Sequence, residues 1–291
     1  MTIRRVGVLG SGIMGSGLAE VAARAGYQVV VRSRSQASAD AMVTTIDKGL
    51  VKAIERGRAT EDERVAIMGR ITATDLLSGL ANCDLVIESV VEELAVKKAL
   101  FAELDQIVKP DGILATNTST LPVVELAMAT SRPQQVCGIH FFNPATAMKL
   151  VEIIRPLTAS DHTIHAATAF AVACGKDAVE VCDRAGFIVN ALLFPYLNNA
   201  VRMYEQGTAS VESIDTAMKG GCNFPMGPFA LLDLVGLDTS VAILDALYAE
   251  FADSNYAAVP SLRRMVAAGH LGRKSKRGFY VPAGPESRTT D

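Results

Sequence analysis

One segment of the chain, residues 138–155 (GIHFFNPATAMKLVEIIR), places a histidine and a glutamate on either side of an Asn-Pro turn. His140 ends one apolar, strand-like run, and Glu152 lies inside a second run that is rich in β-branched residues. If the chain returns on itself, the two side chains come together. A carboxylate beside an imidazole fixes its tautomer, raises its basicity and stabilises the imidazolium. The pattern therefore predicts a general acid/base, and the alternative is a strand-capping histidine with a solvent-facing glutamate.

Composition restricts the class of protein that can carry such a pair. The 291 residues suffice for one large domain or two of ordinary size, and 49% of them are hydrophobic. No apolar run approaches the ~20 residues that span a bilayer, which predicts a soluble protein without a membrane partner. Arg4 and Arg5 precede a short strand and a glycine loop, which is not the pattern of a signal peptide. Five scattered cysteines without a C-x-x-C pair predict reduced thiols and a cytoplasmic location. The net charge of −3 argues against a nucleic-acid partner.

A glycine motif near the N-terminus predicts dinucleotide binding. A strand over residues 3–9 leads into Gly10-Ser-Gly-Ile-Met-Gly15, followed by helix-favouring residues 18–25 and a second strand over 29–31. In this strand–loop–helix–strand context, the first glycine allows the tight turn and the second lets the backbone approach a pyrophosphate. The third glycine lets the helix pack on the strand. The predicted cofactor contacts of the motif are Gly10, Gly12, Ile13, Met14 and Gly15.

The end of the second strand departs from the usual NAD pattern. An Asp or Glu there accepts hydrogen bonds from the ribose 2′-hydroxyl, whereas this chain reads Arg32-Ser33-Arg34-Ser35 and has its first acid at Asp40. Guanidinium and hydroxyl groups suit a 2′-phosphate, and no carboxylate is present to repel it. Ser33 and Arg34 therefore favour NADP(H) over NAD(H), and the alternative is a solvated basic loop.

The order of elements predicts an α/β protein in two domains. Residues 1–184 alternate strands and helices, as in a Rossmann-type doubly wound sheet. A helical hairpin is inserted at about 36–69, and its second helix begins with a capping box at Thr60 and Glu63. From residue 185 onward only helical patterns of comparable strength occur, which predicts an all-α C-terminal domain over 185–291. The polar tail at 285–291 is predicted to be disordered.

Further candidate residues lie in loops. Asn117 and Ser119 follow the strand predicted over 113–116, at the edge where open α/β sheets bind ligands. Lys52 and Arg56 make the inserted hairpin basic in places, which fits a phosphorylated carrier or a solvated face. These residues are predicted cofactor (Asn117) and substrate (Ser119, Lys52, Arg56) contacts, and Asn143 of the Asn-Pro turn is a further substrate contact.

Seven motifs in unbroken order, from about Arg4 to Tyr280, together carry a family resemblance. They are GSGIMG, DLVIESVVE, ATNTST, GIHFFNPATAMKLVEII, DRAGFIVNALLFPYLNNA, NFPMGPFALLDLVGLD and LGRKSKRGFY. This set resembles the short-chain 3-hydroxyacyl-CoA dehydrogenase family, in particular its bacterial 3-hydroxybutyryl-CoA dehydrogenases. Seven motifs at matching spacing are far more specific than any one of them.

The resemblance implies roles for particular positions. His140 matches the catalytic histidine and Glu152 the glutamate paired with it. Ser119 and Asn190 match the two residues that contact the reacting oxygen, and Glu92 and Lys97 match positions that face the cofactor. The inserted hairpin corresponds to a segment that contacts CoA, and the C-terminal helices correspond to a homodimerisation domain.

The implied reaction interconverts (S)-3-hydroxyacyl-CoA, such as 3-hydroxybutyryl-CoA, and 3-oxoacyl-CoA by hydride transfer with a nicotinamide cofactor. Three departures from the family pattern affect the substrate rather than the catalytic set. They are Ala145-Thr146-Ala147 after the FFNP motif, Ala191 after Asn190, and Gly49 in the insertion. They leave open the acyl chain and the carrier, including an acyl-carrier-protein thioester in place of CoA.

Three other interpretations compete with this one. The first is a hydroxy-acid or sugar-acid dehydrogenase similar to gulonate dehydrogenase. The second is a non-catalytic structural protein, against which the intact catalytic set argues. The third is a metal site at His162 and His165, which lie three residues apart on a predicted helix. Because neither a cysteine nor a dedicated acid supports these two histidines, they are interpreted as surface residues and no metal is predicted.

Overall fold

The computed structural model of the chain describes residues 2–280. The predicted disorder at 285–291 therefore lies outside the described residues. The chain divides into two compact units between Arg184 and Ala185. The first unit is an α/β sheet with flanking helices and the second is helical, so the predicted α/β class with an all-α second part is confirmed.

An eight-stranded sheet forms the centre of the first unit. Its strands are β1 (Arg5–Leu9), β2 (Gln28–Arg32), β3 (Ile71–Thr74), β4 (Leu85–Glu88), β5 (Ile113–Thr116), β6 (Val136–Phe141), β7 (Leu150–Arg155) and β8 (Asp177–Cys182). They lie in the order β3-β2-β1-β4-β5-β6-β7-β8. The strands from β3 to β6 are parallel, β7 is antiparallel to β6, and β8 is parallel to β7. The loops that follow β1, β4, β5 and β6 consequently share one edge, where doubly wound sheets bind ligands.

Six helices flank this sheet. They are α1 (Ile13–Arg24), α2 (Gln36–Glu55), α3 (Glu61–Met68), α4 (Leu94–Ile107), α5 (Val123–Ala127) and α6 (Asp161–Ala173). The predicted helical hairpin is the pair α2 and α3. At the start of α3, the Thr60 hydroxyl accepts from the Glu63 N–H at 3.2 Å and the Glu63 carboxylate accepts from the Thr60 N–H at 2.8 Å, which confirms the capping box.

The first helix begins earlier than its composition indicates. The sequence predicts helix from residue 18, whereas α1 starts at Ile13, directly after the glycine motif. Gly15 and Gly17 weaken the local helical signal, since glycine is a poor helix former. Packing requires them: a Cβ at Gly15 would lie 1.9 Å from the Gly10 carbonyl oxygen, and one at Gly17 would lie 3.0 Å from the Ala145 Cβ.

The second unit contains five α-helices among its described residues. They are α7 (Val189–Glu205), α8 (Val211–Cys222), α9 (Pro228–Val235), α10 (Leu237–Phe251) and α11 (Pro260–Ala267). The first of these helices begins only at Val189, because Gly186 and Phe187 both have positive φ angles (74° and 51°) that a right-handed helix excludes. Phe194, Leu197 and Phe229 are among the buried residues of its core. In residues 2–280, no helix has the combination of length and apolar character that a membrane crossing needs.

Candidate functional site

His140 and Glu152 meet in the antiparallel pairing of β6 with β7. They are directly opposite in register, so their side chains project from the same face of the sheet. His140 is 3% exposed and Glu152 is 1% exposed, and the His140 Nδ1 lies 2.8 Å from the Glu152 Oε2. A carboxylate at this distance acts as the acceptor, so Nδ1 carries the proton and Nε2 is left as a basic nitrogen.

The second ring nitrogen faces a hydroxyl. The Ser119 Oγ lies 3.1 Å from the His140 Nε2, and the Phe142 ring packs beside the imidazole with a centroid distance of 4.6 Å. Ser119 belongs to the loop that follows β5. The structure thus brings together three of the four residues predicted to be catalytic, in the order Ser119, His140, Glu152. Such an alignment permits proton exchange at Nε2 while Glu152 balances the charge of the imidazolium.

Asn190, the fourth predicted catalytic residue, lies in the first turn of α7 in the second unit and is 7% exposed. The predicted substrate contact Asn143 lies in the loop between β6 and β7, where it is exposed and precedes Pro144 through a cis peptide bond.

Glu92 joins the loop after β4 to the loop that holds Ser119. Its carboxylate accepts from the Ser119 N–H at 3.0 Å and from the Thr118 hydroxyl, and its other oxygen lies 3.1 Å from the Lys97 Nζ. Burial alone would raise the pKa of Glu92, but the charge of Lys97 and these hydrogen bonds outweigh burial and lower the pKa. Glu92 is therefore a carboxylate at neutral pH. Its side chain is 41% exposed while that of Lys97 is 1% exposed, so Glu92 rather than Lys97 reaches solvent.

Glu88 is a member of this network that sequence reasoning missed. It ends β4, is fully buried, and accepts from the Lys97 Nζ at 2.7 Å, the Val90 N–H at 2.6 Å and the Thr116 hydroxyl at 2.8 Å. The buried ammonium of Lys97 is thereby held between two carboxylates, as buried charges require. The only sequence signal was a glutamate that ends an otherwise apolar strand, DLVIE.

Asn117, predicted to contact the cofactor, has a local partner. Its side-chain oxygen accepts from the Phe141 N–H at 2.8 Å, which fastens the end of β6 to the loop after β5. This bond fixes the backbone next to His140. Asn117 therefore supports the geometry of the His140 site through its oxygen.

A cavity of about 760 Å³, within the usual volume range of ligand pockets, opens beside the glycine motif. Gly10, Gly12, Ser33 and Arg34 are among its lining residues. Gly10 has a φ of 109°, and a Cβ there would lie 2.2 Å from the Ser89 carbonyl oxygen, whereas a Cβ at Gly12 would meet only open space. The Gly12 backbone is therefore open to a phosphate, and the helix α1 directs its first N–H groups toward the same place. Of the other predicted contacts in the motif, Ile13 is 77% exposed and Met14 is half-buried.

The residues after β2 divide into an anchored and an exposed part. The Arg32 Nε donates to the Asp75 carbonyl oxygen at 3.2 Å, and the Ser33 hydroxyl donates to the Ser11 hydroxyl at 3.1 Å. Arg34 is exposed and forms no ion pair with any described residue. Arg32, Ser33 and Arg34 all line the cavity, and of these three side chains Arg34 is the one without a hydrogen bond or ion pair to a described residue.

Lys52 lies in the last turn of α2, and Arg56 directly follows the end of this helix. Both are exposed, and neither forms an ion pair within residues 2–280. This contrasts with Arg64 of α3, which binds Asp47 and Glu61. The two side chains are therefore exposed cations without an ion-pair partner among the described residues.

The predicted surface placement of His162 and His165 agrees with their exposure on α6. Among the described residues, no group of three or more His, Cys, Asp or Glu side chains has an arrangement that could hold a metal ion.

A doubly wound sheet with a glycine-rich turn at its ligand-binding edge defines a dinucleotide-binding α/β protein. Comparisons with known proteins give the family. Residues 5–184 match the model of the 3-hydroxyacyl-CoA dehydrogenase NAD-binding domain, and residues 186–281 match the model of the C-terminal domain of the same enzymes. The chain belongs to the 3-hydroxyacyl-CoA dehydrogenase family.

Individual relatives cover nearly the whole chain. A 3-hydroxybutyryl-CoA dehydrogenase of Mycobacterium tuberculosis is 49% identical over 281 residues, which cover 96% of this chain and 98% of the relative. The crystal structure of M. tuberculosis FadB2 superposes with a TM-score of 0.95 at 48% identity, covering 97% of this chain and 100% of the other. The crystal structure of (S)-3-hydroxybutyryl-CoA dehydrogenase PaaH1 from Ralstonia eutropha has a TM-score of 0.94 at 41% identity, with coverage of 97% and 100%.

Proposed function

We propose that this chain is a nicotinamide-dependent 3-hydroxybutyryl-CoA dehydrogenase that interconverts the (S)-3-hydroxyacyl thioester and its 3-oxoacyl form. The observation that carries the proposal is the line of contacts from Ser119 through His140 to Glu152. It lies in the loops and strands that meet at the ligand-binding edge of a dinucleotide-binding sheet. Relatives that match over nearly the full length and are 3-hydroxybutyryl-CoA dehydrogenases support the same activity.

The chemistry follows from the state of the imidazole. When bound, the nicotinamide would accept the hydride that leaves C3 of the substrate. The His140 Nε2 takes the proton of the 3-hydroxyl, and Glu152 stabilises the imidazolium that results. The Ser119 hydroxyl holds the substrate oxygen on which negative charge develops. In the reverse direction, the same imidazolium returns its proton to that oxygen.

The cofactor is proposed to be NADP(H) in preference to NAD(H). Support comes from the loop after β2, which presents Ser33 and an unpaired Arg34 and lacks a carboxylate to bind the ribose 2′-hydroxyl. Backbone N–H groups at Gly12 and the start of α1 would hold the pyrophosphate. Glu92 and Lys97 are proposed to fix the nicotinamide end of the site.

The two parts of the chain are proposed to have separate tasks. Residues 1–184 would bind the dinucleotide, and residues 185–291 would complete the substrate site and form a homodimer. Exposed apolar side chains on the helices of the second unit support the dimer, among them Leu192 (72% exposed) and Leu234 (49% exposed). The thioester is proposed to be carried by CoA, held by Lys52 and Arg56, with Asn143 near the acyl group. A cytoplasmic location is proposed from the five cysteines, which are all unpaired.

Steady-state turnover tests this proposal. Reduction of acetoacetyl-CoA would be measured in parallel with NADPH and NADH, alongside acetoacetyl-acyl-carrier protein and, in the oxidative direction, gulonate with NAD. The expected result is reduction of acetoacetyl-CoA with both cofactors and a higher kcat/KM with NADPH. Oxidation of gulonate without turnover of either thioester would contradict the proposed function.

A further inference from the structure

Lys176 is a buried cation without a carboxylate partner. It is 8% exposed, and its ammonium donates to the carbonyl oxygens of Ala145 at 2.6 Å and Met148 at 2.8 Å. Among residues 2–280, no Asp or Glu lies within ion-pairing distance of it. Burial, together with the nearby Lys149, lowers the pKa of Lys176. Since lysine is almost never fully buried without a partner, two backbone carbonyls as its acceptors require an explanation.

The backbone of Lys176 is fixed on both sides. Gly175, just after the end of α6, has a φ of 71°. Its N–H donates to the Val172 carbonyl at 2.9 Å, and the Lys176 N–H donates to the Ala171 carbonyl at 3.1 Å. These two bonds form the Schellman motif of a helix end. The next residue, Asp177, begins β8 and pairs with Leu150 of β7. Lys176 therefore extends its ammonium from a rigid corner of the sheet.

The acceptors belong to the loop over residues 142–149, which joins β6 to β7. Within this loop the N–H groups of Ala147 and Met148 both donate to the Pro144 carbonyl at 3.0 Å, whereas the carbonyls of Ala145 and Met148 accept from Lys176. Ala145 is 3% exposed and packs against Gly17 of α1. The loop is thus held between the helix of the glycine motif and the Lys176 ammonium.

We propose that Lys176 is a positioning residue of the substrate site. Its two hydrogen bonds set the loop that begins directly after His140 and Phe141 and that carries Asn143, so this loop presents one conformation to the thioester. The proposal rests on the proposed function, because it assigns the 142–149 loop to the acyl-thioester side of the site. Lys176 touches neither substrate nor cofactor in this role and acts through the loop.

The test compares K176M with K219M. Methionine removes both hydrogen bonds and retains an unbranched side chain, whereas Lys219 is an exposed lysine of α8 that forms no ion pair with a described residue. For K176M the expected KM for acetoacetyl-CoA rises about tenfold, the factor that the loss of one or two hydrogen bonds produces. The Kd for NADH, measured by fluorescence, is expected to stay within about twofold in both variants. In K176M the amides of Ala147 and Met148 are expected to exchange with solvent faster. K219M is expected to match the parent in every measurement.

A purely structural role predicts a different result. If K176M lowers the thermal midpoint but leaves the KM for acetoacetyl-CoA unchanged, or if K219M changes this KM as much, the positioning role is refuted. If K176M is not recovered folded, K176Q takes its place, with the same expectation for KM and the same refuting result. K176R retains a cation that can donate both hydrogen bonds to the loop, so it is expected to keep the KM within about threefold of the parent. A parent enzyme that binds NADH but does not turn over the thioester would refute the proposed function instead, so the two failures are distinguishable.

Discussion

The Nδ1 of His140 lies 2.8 Å from the Oε2 of Glu152, and the two residues are direct partners in the β6–β7 ladder. The contact is therefore set by backbone register rather than by the conformation of a loop. A shift of one residue in either strand would turn one of the side chains to the opposite face of the sheet. This placement gives the imidazole a fixed tautomer and leaves its Nε2 toward Ser119.

The first prediction concerns His140→Gln. Glutamine retains hydrogen-bonding groups but cannot accept and return a proton, so kcat for acetoacetyl-CoA reduction is expected to fall by about 10²–10⁴-fold. The thermal midpoint and the fluorescence titration of NADH are expected to stay at the parent values. His165→Gln, at an exposed position of α6, is the matched control and is expected to be as active as the parent. Activity of His140→Gln within about threefold of the parent would exclude His140 as the acid/base.

The sequence predicted those elements whose own side chains determine them. The bounds of β5 (Ile113–Thr116) agree with the prediction to the residue, because it is a short apolar run with turn residues on each side. The sequence does not predict the helices α5 and α11, which have five and eight residues. Helices of this length contain too few turns to show a periodic pattern, and tertiary packing stabilises them.

The residues of the site likewise fall into those that the sequence reveals and those that only the fold reveals. His140, Glu152 and Ser119 could be found from residue type and position, since a histidine and a glutamate in facing strands are unusual. Glu88 and Lys176 could not be found in this way. A charged residue at the end of a strand commonly faces solvent, and only the fold determines that these two are buried. The Asn117 oxygen likewise meets the Phe141 N–H only after β5 and β6 have paired.

The second prediction concerns Asp105→Asn and the pH dependence of stability. Asp105 accepts from the Ser131 N–H at 2.8 Å and the Arg132 Nε at 2.7 Å. Burial alone would raise the pKa of Asp105, but these donors outweigh it and hold the pKa below its ordinary value of 3.8. Removing the charge is expected to lower the free energy of unfolding by about 1–3 kcal/mol at pH 7, measured by urea denaturation.

The sign of the pH effect follows from the lowered pKa. The folded protein binds this proton less readily than the unfolded chain, so the stabilisation is complete above pH 3.8 and is lost as the pH falls through the lower folded value. The difference between parent and Asp105→Asn is expected to be constant from about pH 7 to 5 and to shrink below about pH 4. Asp111→Asn is the control, since the Asp111 side chain is 69% exposed and 3.7 Å from Lys109. A difference that grows toward acid pH would contradict the assignment.

The third prediction concerns the loop after β2. Ser33→Asp combined with Arg34→Gln supplies a carboxylate for the ribose 2′-hydroxyl and removes the guanidinium proposed to bind a 2′-phosphate. The ratio of kcat/KM for NADPH to that for NADH is expected to fall by about tenfold or more, the factor expected for one charge-assisted contact. Arg58→Gln removes an exposed arginine from the inserted hairpin and is expected to leave the ratio unchanged. An unaltered ratio in the double variant would refute the proposed NADP(H) preference.

The fourth prediction concerns the carrier of the acyl group. Lys52, in the last turn of α2, and Arg56, directly after this helix, are exposed and have no ion-pair partner among the described residues, and they are proposed to bind the phosphates of CoA. In a Lys52→Met, Arg56→Met variant the KM for acetoacetyl-CoA is expected to rise about fivefold to tenfold at low salt. The difference from the parent is expected to decrease at higher ionic strength, because salt screens exposed charges.

A truncated substrate separates binding of the carrier from binding of the acyl group. Acetoacetyl-N-acetylcysteamine has the thioester and the reacting carbonyl of acetoacetyl-CoA but no phosphate, so parent and double variant are expected to share one KM for it. Arg264→Gln, at an exposed position of α11, is expected to match the parent with both substrates. If the KM of the double variant rises equally for the two thioesters, the two cations act on the acyl site and not on the CoA phosphates. If the KM rises for neither thioester, the two cations are a solvated surface of the hairpin.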